Sequence, residues 1–136
     1  MAKRNETLMT DFKKHENVII SGSLVSWGQQ WQSAFDLAIF IYLHQASRMK
    51  RLEKREVERY GNKLLTDPQT QSNSKAFIDW AAKYDKPAFT GRSLKIHNEW
   101  TELLCCPVIR LDGKMELKNK IEKMLMQITI IAKAQE

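Results

Sequence analysis

Four arginines in the stretch RMKRLEKREVERYG, at Arg48, Arg51, Arg55 and Arg59, recur at three- and four-residue steps. On a helix that spacing lines one face. A planar guanidinium fork suits paired hydrogen bonds to phosphate oxygens better than an ammonium does, so a row of arginines points to phosphate clamping. Glu56 and Glu58 lie close enough to neutralise part of the row, and the same stripe also fits a salt-bridged surface helix. A second constellation, Gly22-Ser-Leu-Val-Ser-Trp-Gly28-Gln29-Gln30, follows an apolar run and has the outline of a phosphate-binding loop. It is not a Walker A motif, which needs four residues between its glycines and then Lys-Ser/Thr for the ammonium and the magnesium-holding hydroxyl. Five residues separate these glycines, and Gln29-Gln30 offers neither group. The loop is therefore read either as a strand-to-helix turn or as a substrate-lining loop.

Arg92 and Ser93 follow Gly91 at the start of a helical pattern, where a charge and a cap favour anions, although a plain capped helix satisfies the same residues. His97 reads as a polar core or surface residue rather than a general base. The tryptophans at 27, 31, 80 and 100 read chiefly as core. Cys105 and Cys106 are adjacent and the three histidines are scattered, so no metal site is expected.

The elements that must position these groups follow from periodicity. Apolar runs at 18–20, 37–43 and 108–111, bounded by turn residues, predict three buried strands. Helical patterns cover 45–60, 74–84, 94–104 and 115–132, and Leu8, Met9 and Phe12 mark a short amphipathic helix ahead of the first strand. In the last pattern Leu117, Ile121, Met124, Leu125, Ile128 and Ile131 form a stripe that should face a core. Segments 61–73 and 86–92, each with a proline, read as surface loops. Strands that are apolar throughout and alternate with helices imply an α/β class, a parallel sheet covered on both faces. The 136 residues suffice for one domain. No apolar run is long enough for a membrane helix and the start has no signal-like stretch, so a cytoplasmic protein is expected. The 22 Lys+Arg against 16 Asp+Glu, net +6, favour anionic partners.

The order VIISGSLVSWG, FDLAIFIYL, RMKRLEKREVERYG, FIDWAAKYD, GRS, HNEW and CPVIRLDG resembles the later part of the adenylate-kinase-like P-loop kinases, over about residues 5–125. The resemblance implies a three-layer parallel sheet with flanking helices in strand order 2-3-1-4-5. Residues 18–22, 37–43 and 108–111 would be its strands 3, 4 and 5, with strands 1 and 2 and the Walker A region absent. It also implies ATP and Mg2+ as cofactors, whose phosphate and metal ligands this chain lacks. Arg51, Arg55 and Arg59 would clamp the transferring phosphoryl group, and Gly22, Ser23, Arg48 and Arg92 would bind substrate. Asp112, Gly113 and Lys114 would skirt the adenine ring. The implied function is the substrate-and-lid portion of an ATP-dependent phosphotransferase, inactive alone, taking a nucleotide or other phosphorylated small molecule. Strand edges left open predict self-association. The alternatives are a basic module for nucleic acid, disfavoured by the glutamates among the arginines, and a degenerate partner subunit.

Overall fold

The computed structural model describes residues 2–134. In chain order it contains α1 (Ala2–Phe12), a 3-10 turn (Gln29–Trp31), β1 (Ala38–Tyr42), α2 (Gln45–Tyr60), α3 (Lys63–Thr66), α4 (Pro68–Ala81), α5 (Leu94–Glu102), β2 (Val108–Asp112) and α6 (Leu117–Ala134). β1 and β2 pair in parallel from Ala38↔Val108 to Tyr42↔Asp112 and form a two-stranded sheet. The expected three-layer parallel sheet of the P-loop kinases is thus incorrect: the described residues hold six α-helices and one strand pair.

The third expected strand, residues 18–20, is unpaired coil, and Ile19 is 98% exposed. Branched residues favour an extended chain, but a strand exists only where its backbone groups meet a ladder, and this run has no partner strand among the described residues. The same shortage opens one face of β1. Ile39 and Ile41 are exposed while Ala38, Phe40 and Tyr42, on the opposite face, are half-buried. A sheet covered on both faces was expected; one face here has no layer above it.

The segment 61–73, expected to be a loop, instead folds into α3 and the first part of α4. Asp67 caps α4: its carboxylate accepts from the Thr70 N–H at 3.1 Å and from the Thr70 hydroxyl. Pro68 occupies the first helical position, where a missing N–H costs nothing, so the residue read as a helix breaker is a helix start. α5 begins on a similar cap, with Ser93 Oγ accepting from the Ile96 N–H at 3.3 Å.

The core centres on Trp31, which is fully buried with Leu24, Val25, Ala81 and Leu111 nearly so. Phe12 meets the Trp31 ring edge-on at 5.8 Å and Phe35 stacks on it at 6.0 Å. The indole N–H donates to Asn5 Oδ1 at 2.6 Å, and Asn5 Nδ2 donates to the Trp27 carbonyl at 2.7 Å, so α1 is tied to the 3-10 turn through a satisfied polar pair. The apolar stripe of α6 is largely uncovered: Leu117, Ile121, Leu125 and Ile128 are exposed, while Met124 and Ile131 are half-buried. Among the described residues no helix is long and apolar enough to cross a membrane.

Candidate functional site

Parallel pairing brings the carboxyl ends of both strands to one edge, the place where open α/β sheets collect ligand-binding loops. There the Gly113 N–H donates to the Tyr42 carbonyl at 2.6 Å. A Cβ at position 113 would lie 2.9 Å from Leu43 Cβ and 3.0 Å from the Tyr42 carbonyl oxygen, so glycine is required for this closeness. Asp112 Oδ1 accepts from the Lys114 N–H at 2.8 Å, and Lys120 donates to the Gly113 carbonyl at 2.9 Å. Asp112, Gly113 and Lys114 therefore form a tight turn against the end of β1.

β1 leads through Leu43 and His44 directly into α2, whose first turn supplies Arg48. One terminal nitrogen of that guanidinium donates to the Leu43 carbonyl at 3.0 Å, and the other pairs with Asp85. Both side chains are about one-fifth exposed, at 19% and 20%. Asp85 also accepts from the Tyr42 hydroxyl at 2.9 Å. Burial, reinforced by that carboxylate, pushes the Tyr42 phenol above its ordinary range. The Arg48 guanidinium lies over the Tyr84 ring at 4.7 Å, and its Nε is buried without a partner. Arg48 is thus a brace joining β1, α2 and the segment after α4.

Tyr84 passes this order on. Its hydroxyl lies 2.8 Å from His97 Nδ1, and His97 Nε2 lies 2.9 Å from Ser23 Oγ. Phe40 of β1 packs against the imidazole at 6.1 Å, and Arg110 of β2 covers the other ring at 4.9 Å while donating to Asn98 Oδ1 and Thr101 Oγ1. Burial, then the positive charge of Arg92, holds His97 below the ordinary histidine range. Ser23 is half-buried beside exposed Gly22, which adopts φ 131, a conformation glycine tolerates and other residues rarely do.

Of the expected substrate-binding residues, Ser23 and Arg48 join one network through His97 and Tyr84, Gly22 flanks it, and exposed Arg92 acts on His97 by its charge. The expected phosphoryl clamp lies apart from these contacts: Arg51, Arg55 and Arg59 are exposed along α2. Arg55 sits over Phe77 at 5.9 Å and Arg59 over its neighbour Tyr60 at 6.0 Å, distances at the margin of a useful cation–π contact. Sequence reasoning set His97 aside as a polar residue and assigned nothing to Tyr42, Tyr84 or Asp85. The only signal was the Tyr84-Asp85 pair closing the FIDWAAKYD segment.

The Gln30 side chain lies against Gly28, and among the described residues no group of three His, Cys, Asp or Glu converges on a metal position. In comparisons with known proteins the chain is similar to the uncharacterized protein YqaC of Bacillus subtilis (strain 168), 33% identical over 123 residues that make up 90% of this chain and 69% of that protein. No family model and no solved structure matches it.

Proposed function

We propose that this chain, which belongs to the same family as YqaC of Bacillus subtilis, holds a phosphorylated small molecule, a nucleotide foremost, as the substrate-binding portion of a nucleotide-kinase-like phosphotransferase. The observation that carries this reading is the exposed row of Arg51, Arg55 and Arg59 on α2, the helix that leaves the shared carboxyl edge of β1 and β2. From that edge emerge the Asp112-Gly113-Lys114 turn and the arginine helix α2, with the Gly22-Ser23 loop linked to the same edge through His97, Tyr84 and Arg48. Arg48 is committed to the brace, so the free cations for a phosphate group are Arg51, Arg55 and Arg59 on the exposed stripe. The chain's own task is binding; no step through ATP is assigned to its residues.

Calorimetric titration with pyrophosphate at two salt concentrations tests this. Each exposed guanidinium contributes on the order of 0.5–1 kcal/mol to an ion contact. The Arg51, Arg55 and Arg59 triple alanine variant should therefore bind about ten- to a hundredfold more weakly without unfolding. Wild-type affinity should fall as salt rises. Unchanged affinity in the triple variant removes the phosphate-clamp reading, and tight binding to a defined RNA assigns the stripe to nucleic acid instead.

A further inference from the structure

We propose that Ser23 is a nucleophile and His97 its general base, a serine–histidine site for activated phosphoryl and acyl esters that is separate from the arginine stripe. A serine hydroxyl is a weak nucleophile until a positioned base removes its proton. The geometry supplies that base at hydrogen-bond distance, 2.9 Å from Oγ to Nε2. The base is itself oriented at its other nitrogen by Tyr84 at 2.8 Å, and Tyr84 is fixed beneath Arg48 at 4.7 Å. In the reactive tautomer Nδ1–H donates to the Tyr84 oxygen, leaving the Nε2 lone pair for Ser23. Burial and the nearby charge of Arg92 keep the imidazole neutral near pH 7, as a base must be. Arg92 also places positive potential at the site, which favours ligands that carry or develop negative charge on oxygen.

With a fluorophosphonate, Ser23 Oγ attacks phosphorus. The Oγ–P bond forms, the P–F bond breaks, fluoride leaves with the electron pair, and the serine proton passes to His97 Nε2. Tyr84 is neutral and lends less support to the imidazolium than the carboxylate of a Ser-His-Asp triad, so the reaction should be slow and confined to activated reagents.

The test treats the full chain with a fluorophosphonate and follows intact mass. One adduct is expected, mapped to Ser23, absent in Ser23→Ala and formed at least about tenfold more slowly in His97→Gln, the lower range for loss of a general base. Tyr84 is a positioning residue, so Tyr84→Phe should move the midpoint of the labelling pH profile to lower pH. The charged and titratable groups facing the imidazole, namely Ser23, Tyr84 and Arg92, are otherwise kept. Should His97→Gln fail to fold, the wild-type chain in urea replaces it, and labelling of Ser23 must vanish there. No adduct, an adduct on another residue, or equal labelling of Ser23 in His97→Gln or in urea overturns the proposal.

Discussion

Arg48 and Asp85 should behave as one energetic unit, and a double-mutant cycle measures it. Breaking a buried ion pair from one side costs about 3–5 kcal/mol because a desolvated charge is left behind. Two features place Arg48→Ala near the lower end of that range. Asp85 keeps the Tyr42 hydroxyl at 2.9 Å, so its carboxylate is not left bare. The Arg48 Nε is already buried without a partner, and removing the side chain removes that penalty as well. Against this, Arg48→Ala loses the bond to the Leu43 carbonyl and the contact with the Tyr84 ring. A loss of about 3 kcal/mol is expected, and a similar loss for Asp85→Ala, which leaves Arg48 only a single carbonyl. The double variant should be about 2 kcal/mol more stable than the two losses added together. Urea unfolding of the four proteins, with unchanged dependence on denaturant, reads this out. A coupling below about 0.5 kcal/mol, the limit for independent sites, would refute the brace.

Trp31→Ala should destabilise by about 3–5 kcal/mol, the usual cost of emptying a buried aromatic position, and should release α1 from the 3-10 turn, seen as faster amide exchange in Ala2–Phe12. Gly113→Ala should cost about 1–3 kcal/mol by forcing the turn away from Leu43 and Tyr42, measured as a lower urea midpoint. Because His97 sits below the ordinary histidine value of about 6.5, the unfolded chain binds a proton that the folded chain refuses in the window beneath it. Stability should therefore fall as pH falls through that window, and the fall should be smaller in His97→Gln when urea midpoints at neutral and mildly acidic pH are compared. The open Ile39 and Ile41 face and the apolar stripe of α6 should drive self-association, visible by ultracentrifugation and reduced by Ile121→Lys with Leu125→Lys.

Local physics was readable from the sequence where it decided the outcome. Helix α2 coincides with the expected 45–60, and β1 and β2 lie within one residue of their apolar runs, because caps, turns and periodicity are properties of neighbouring residues. Residues 18–20 failed for the opposite reason: Val18-Ile19-Ile20 has the composition of a strand, but pairing depends on what another segment brings alongside. Proline marks both the end of one helix and the first position of the next, and at Pro68 the feature that discriminates is the Asp67 cap. The pairing of Ser23 with His97 joins residues 74 positions apart, and no spacing rule reaches that far.

The arginine stripe shows how one sequence pattern divides into two roles. Arg48, Arg51, Arg55 and Arg59 share a helix face, yet only Arg48 meets a carboxylate, a carbonyl and an aromatic ring together. Opposite Arg55 stands Phe77, which offers a weak attraction and no acceptor, so its five donors remain available. The distinction lies in the facing segment: Asp85 and Tyr84 follow α4, while the middle of α4 presents Phe77. Arg48 has been drawn into the structure because desolvation of its two terminal nitrogens is matched by partners, Nε alone lacking one. The others remain exposed along the helix. Lysine at 48 cannot give the forked contact to Leu43 and Asp85, whereas lysine at the exposed position 55 keeps the charge without the fork.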